Sequence, residues 1–185
     1  DPHAALDHDP RVTNSVGASV STSEGLRVYG NSHGFLGGYQ ESDHSISCSV
    51  VASQDGAMET DYEYAVARDA ADLPAPAEVG AEAGRRTVAR LGGTKLETRT
   101  APVLFPARVA RGLIGHLLGA ISGGALYRKS SFLVDALGKP VFASRVTIDE
   151  KPHLPKGLNS APFDNEGVTT VERCLVDAGV LGGDA

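Results

Sequence analysis

Over residues 11–64 the chain alternates β-branched and small polar residues, and its interruptions carry glycine: Val16-Gly17, Glu24-Gly25, Gly37-Gly38 and Asp55-Gly56. A period of two sends successive side chains to opposite faces, which a strand satisfies and a helix does not. The stretch therefore predicts an antiparallel meander with one apolar and one solvated face. Two tight hairpins are expected, one pairing residues 18–23 with 26–29 around Glu24-Gly25 and one pairing 45–52 with 58–65 through Gln54-Asp55-Gly56. Glycine suits both because such turns need positive φ.

The pattern then changes. Asp72-Leu73-Pro74-Ala75-Pro76-Ala77 breaks the sheet, and residues 76–91 carry Val79, Ala83, Thr87 or Val88, and Leu91 along one helical stripe, stopped by Gly92-Gly93. Residues 95–99 read as a linker or edge strand and 101–105 as a short buried strand. Pro106 opens a glycine-interrupted helix to about Gly119, a second helical piece is expected over 130–137, and a strand over 141–148. Past Lys151, prolines and glycines mark a long ordered loop. Residues 169–174 read as a strand, and 176–181 as a turn and the start of a partner whose open edge suggests truncation. The fold class expected is α+β: a β-meander with a packed helix over residues 1–94, then the start of a second α+β domain with a Gly-rich helix pair over 95–185.

Composition excludes several functions. With 185 residues, 41% of them hydrophobic, the chain can bury a core. A net charge of -6 without a Lys/Arg run disfavours nucleic acid, and the absence of tryptophan removes the best stacking platform for single strands. No apolar run is long enough to span a bilayer and the first residues lack signal-peptide regions, so a cytoplasmic protein is expected. Cys48 and Cys174 form no Cys-x-x-Cys pattern and read as two reduced thiols.

Five segments invite chemistry. Gly30-Asn31-Ser32-His33-Gly34 spells the Gly-x-Ser-x-Gly nucleophile elbow, with His153 and Asp135 or Asp149 as partners for Ser32. The two glycines at 37 and 38, where a helix should grow, favour a turn between strands. Gly123 to Ser130 fits a phosphate loop except that Arg128 replaces the glycine whose backbone would curl around the phosphates. His3, Asp7, His8 and Asp9 sit in a polar terminus expected to be disordered, and Asp164-Asn165-Glu166-Gly167 reads as a turn because it lacks calcium-loop spacing. Finally, residues 112–121 predict a buried helix with a single histidine. Around His116, the helical neighbours Gly112, Leu113, Gly119 and Ala120 offer no metal ligand, so a packed histidine is the simpler reading.

Several segments together resemble the PmbA/TldD family, in particular its PmbA branch, also called TldE, whose members include candidate modulators of DNA gyrase and metalloprotease components. These are Arg11-Val12-Thr13-Asn14-Ser15, residues 30–39, residues 120–133 and Pro162-Phe163-Asp164-Asn165-Glu166-Gly167. The resemblance runs from about Asp9 to Val180 and makes the chain similar to a central fragment of a longer member. It implies a two-subunit protease of unfolded peptides. The TldD-type partner would carry His-Glu-x-x-x-His and the zinc, and the assembly would mature a peptide antibiotic and degrade an antidote protein. On this chain the family frame falls on Gly115, His116, Leu117, Leu118, Gly119 and Ala120, so no ligand letter is kept.

The resemblance thus implies a non-catalytic subunit with no cofactor of its own, a TldD-type partner, peptide substrates, and neither nucleic acid nor membrane as partner. Its motif loops put Asn31, His33, Arg128, Lys129, Asp164 and Glu166 forward as contacts to peptide or partner. The alternatives are a self-sufficient hydrolase through Ser32 or a metal at His116, and a stand-alone regulatory or interaction module.

Overall fold

The computed structural model describes residues 2–182, which form two compact units. The first comprises the residues up to Leu96 together with Leu154–Thr169; the second comprises Glu97–His153 and the residues from Thr170 onward. The segment Leu154–Thr169, read from sequence as a loop following the second unit's strand, clusters with the first unit instead.

In the first unit, α1 (Pro2–His8) precedes a three-stranded antiparallel sheet of β1 (Val12–Gly30), β2 (Leu36–Gln54) and β3 (Ala57–Ala67), with β2 central. A 3-10 turn, Ala70–Asp72, leads to α2 (Pro76–Arg90). This is the expected meander with its packed helix. On β2 the period of two is kept: Ile46, Cys48, Val50 and Ala52 are buried, and Val79 and Ala83 of α2 join all but Ala52 in one cluster. On the same face Glu59, Asp61 and Glu63 of β3 meet Arg86 and Arg90, one helical turn apart on α2.

The second expected hairpin forms as read, with Asp55 at φ 52 and Gly56 at φ 81. The first does not. A single strand runs through Glu24-Gly25, and Gly25 is not among the residues at positive φ. β1 reverses only at residues 31–35, so Gly37 and Gly38 lie inside β2. The terminus expected to be disordered is helical as far as His8, because Ala5 is fully buried against α2. Just after it, Arg11 donates to both carboxylate oxygens of Asp9 and lowers its pKa to about 2.

The second unit holds α3 (Ala107–Ile121), α4 (Gly123–Tyr127) and a small antiparallel sheet of β4 (Ile148–Glu150), β5 (Arg173–Asp177) and β6 (Val180–Leu181). Leu117, Ile121, Leu133, Leu175, Val176 and Leu181 are its core. Four local expectations fail here. Residues 101–105 form no strand: Pro102 lacks a donor, and Leu104 is 91% exposed. Residues 130–137 make turns instead of a helix, with Asp135 at φ 59. Only Ile148 of the strand expected over 141–148 is extended and paired, at the start of β4. The edge of β6 is not open: Leu181 donates to the Lys139 carbonyl, and Gly138 donates to the Leu181 carbonyl.

Candidate functional site

The β1–β2 connection is built around Asn31. Its side-chain oxygen accepts from the N–H groups of His33 (3.0 Å) and Phe35 (3.2 Å), closing the loop locally. Its side-chain amide donates to the Glu166 carbonyl at 3.3 Å, which ties this loop to the strap Leu154–Thr169. The two motif segments carrying Asn31 and Glu166 are therefore brought together. Ser32 and His33 stand exposed at the tip, and the chain continues into β2 where an elbow would need a helix. His153, Asp135 and Asp149 belong to the second unit, where His153 pairs with the Thr170 hydroxyl at 3.0 Å.

The strap is pinned at two further places. At one end the Lys156 ammonium donates to Asp69 (2.8 Å) and Asp72 (2.7 Å), while Arg68 donates to the carbonyls of Ser42 and Leu158. At the other end Phe163 packs edge-on against Phe35 and Tyr39, with ring centroids 5.0 and 5.4 Å away. Glycine is needed beside the Phe35 ring: a Cβ at Gly37 or Gly167 would stand 2.7 Å from a ring carbon. Asp164 turns the strap by accepting from the N–H groups of Glu166 and Val168, and these backbone bonds lower its pKa, Val168 contributing most. Its carboxylate serves the turn, as the absence of calcium-loop spacing anticipates.

The Lys156 clasp has a pH window. Hydrogen bonding to Lys156 lowers the Asp69 pKa, and hydrogen bonding to Asp69, then Asp72, raises that of Lys156. The Asp69 contribution is present above its unfolded value of about 3.9 and is lost as pH falls through its lowered folded value. The Lys156 contribution is present below about 10.4 and is lost as pH rises through its raised folded value. Amide exchange at Gly157 and Ser160 is therefore expected to speed up below the Asp69 transition after correction for intrinsic pH dependence. Lys156→Met should remove that step; a step that persists in the variant contradicts the clasp.

Helix α3 differs from its sequence reading. It buries Leu117 and Ile121, four residues apart, and leaves His116 and Gly115 exposed and Ala120 half-buried. His116 is thus neither packed nor hydrogen-bonded among the described residues. No group of three His, Cys, Asp or Glu side chains among those residues could hold a metal. A zinc ion does not fit the donor set around His116, since Gly112, Leu113, Gly119 and Ala120 supply no lone pairs. The segment resembling a phosphate loop is itself helical from Gly123, with Arg128 capping α4 and Lys129 at φ 54, so no backbone cradle forms. Sequence reasoning missed Arg68, Lys156 and Phe163. Only the last lies in a family motif, Pro162 to Gly167.

No helix among the described residues is long and apolar enough to cross a membrane. Two family models match the chain: the PmbA/TldA metallopeptidase central domain over residues 1–91 and the C-terminal domain over residues 98–183. Metalloprotease PmbA of Escherichia coli O157:H7 is 51% identical over 178 residues, 96% of this chain and 40% of that protein. The PmbA homolog of Haemophilus influenzae is 49% identical over the same shares. The chain spans 40% of the length of these curated relatives. A crystal structure of a candidate modulator of a DNA gyrase from Thermotoga maritima superposes with a TM-score of 0.87 at 27% identity, over 98% of this chain and 42% of that one. TldE from Thermococcus kodakarensis shares the fold, with a TM-score of 0.72 at 20% identity over 98% of this chain and 41% of that one. By sequence and by fold the chain is metalloprotease-like and belongs to the PmbA/TldD family.

Proposed function

We propose that this chain is a PmbA/TldE-type subunit without a catalytic centre of its own, working beside a TldD-type partner that supplies the zinc and cleaves unfolded peptides in the cytoplasm. The observation that carries the reading is the family's His-Glu-x-x-x-His frame, which falls here on Gly115, His116 and Ala120 of α3, the first two exposed and the last half-buried. A zinc hydrolase needs several converging donors and a carboxylate to take a proton from bound water, and these positions provide one imidazole. The similarity to PmbA proteins named metalloproteases supplies the context in which such a subunit has work to do.

In this role the chain contributes a long sheet. β1 and β3 are its edges, and an edge strand binds an extended chain through backbone hydrogen bonds that tolerate varied sequences. The acidic balance of the chain disfavours nucleic acid as the partner. Metal analysis and a peptidase assay, on the protein alone and with a TldD-type partner, test the reading. The expected result is no stoichiometric zinc and no cleavage in isolation, with cleavage on adding the partner that His116→Ala leaves unchanged. Zinc-dependent cleavage by the isolated protein, lost in His116→Ala, overturns it.

A further inference from the structure

β2 is longer than β3. Pairing between them ends at His44 with Ala67, so residues 36–43 of β2 pair with β1 on one side and have no strand on the other. Two hydrogen bonds show which backbone groups face that vacant lane. The Phe35 carbonyl accepts from the Asn31 N–H across the hairpin at 3.0 Å, so odd-numbered residues here face β1. The Ser42 carbonyl accepts from Arg68 Nη1 at 2.8 Å, so even-numbered residues face away from it. Gly38 and Gln40 therefore turn both backbone groups into the lane, where no partner meets them among the described residues.

The lane is a space and not a closed seam. A cavity of about 530 Å³ lies at its Gln40–Ser42 end, lined by Tyr39, Gln40 and Ser42 of β2, by Arg68, and by Lys156 and Ser160 of the strap. Arg68 ends the β3 lane, its guanidinium standing where the next strand residue would donate. Glu24 and Glu41 also line the cavity. Glu41 has Arg68 as a cation at 3.9 Å, and Glu24 has no cation among the described residues.

We propose that this lane is a strand slot: an extended peptide segment of about four to six residues adds beside residues 36–42 of β2, continuing the line of β3. The peptide exchanges backbone hydrogen bonds with Gly38 and Gln40 and places a basic side chain at Glu24. The assignment rests on reading the chain as a peptide-handling subunit and names where that peptide lies. The strap forms the outer wall of the slot.

Amide exchange of the protein with a blocked hexapeptide of alternating valine and lysine tests the slot, beside the same peptide N-methylated on alternate residues. The expected result is exchange at Gly38 and Gln40 slowed about tenfold or more by the first peptide and unchanged by the second. Glu24→Gln should weaken binding of the lysine peptide. Protection confined to the outer edges of β1 or β3 overturns the slot and leaves the peptide-handling reading standing. Protection that rises with protein concentration alone assigns the lane to a second copy of this chain and overturns the proposal. Protection nowhere overturns it too, and peptide cleavage with the TldD-type partner then decides the broader reading separately.

Discussion

Gly84→Val is expected to lower the stability of the first unit by about 3 kcal/mol, the upper end of the usual overpacking range. A Cβ at Gly84 would stand 3.0 Å from the Ala5 carbonyl oxygen, 3.4 Å from the Ala5 Cα and 3.4 Å from the His8 Cβ. The first two obstacles are backbone of α1, which cannot rotate aside as a side chain can. Relief requires α1 to lift from α2, which exposes Ala5 and the cluster formed with Val79 and Ala83. Chemical denaturation should show a lower midpoint, with exchange rising first in α1. Gly112→Ala on α3 is the control: nothing lies within 4 Å of its Cβ, so the higher helix propensity of alanine should be neutral or stabilise by up to about 1 kcal/mol. Two helical glycines thus have opposite expected signs. A Gly84→Val protein as stable as the parent would show that the α1–α2 approach does not govern Gly84.

Phe163→Ala is expected to cost about 3 kcal/mol, in the range for emptying a buried aromatic site, and to act mainly on the strap. Phe163 is 8% exposed and makes edge contacts with both Phe35 and Tyr39, each contributing beyond simple burial. Without it the strap retains its contacts with Asn31, Arg68 and Arg27 and the Lys156 clasp, all polar contacts that water can replace. Exchange at Val168 and Ser160 should accelerate strongly, while the middle of β2, held by strands on both sides and by α2, should stay protected. Uniform acceleration across β2 and the strap would mean that the two unfold together and that the strap is not an independent unit.

How far the sequence could be read depended on whether its signal was one-sided. β2 was legible because Ile46, Cys48, Val50 and Ala52 alternate with Ser45, Ser47, Ser49 and Ser53 on the other face, broken only by Val51, and a half-buried strand explains that alternation. Glu24-Gly25 misled because glycine permits a turn without requiring one; the turn chemistry was in fact used at Asp55-Gly56. Val103, Leu104 and Phe105 looked like a buried strand on apolarity alone, yet stand exposed beside prolines that weaken strand pairing. His116 looked packed because its neighbours are apolar, but only the Leu117–Ile121 stripe of α3 is buried. The functional motifs were legible as motifs. Their joining through Asn31 and Glu166 was not, since 135 residues separate the two.

From the sequence alone came the α+β class, the β2–β3 hairpin, helix α2 and the want of ligands at positions 115 and 120 and of a carboxylate at 116. All of these depend on residues near one another in the chain, where period, turn geometry and ligand spacing act. The tertiary structure alone decided that Leu154–Thr169 returns to the first unit, that Lys156 clasps Asp69 and Asp72, and that β3 stops short of β2. Those features rest on contacts between distant segments. Such contacts are selected by burial and by the pairing of backbone groups across space, and no local pattern of residue types encodes them.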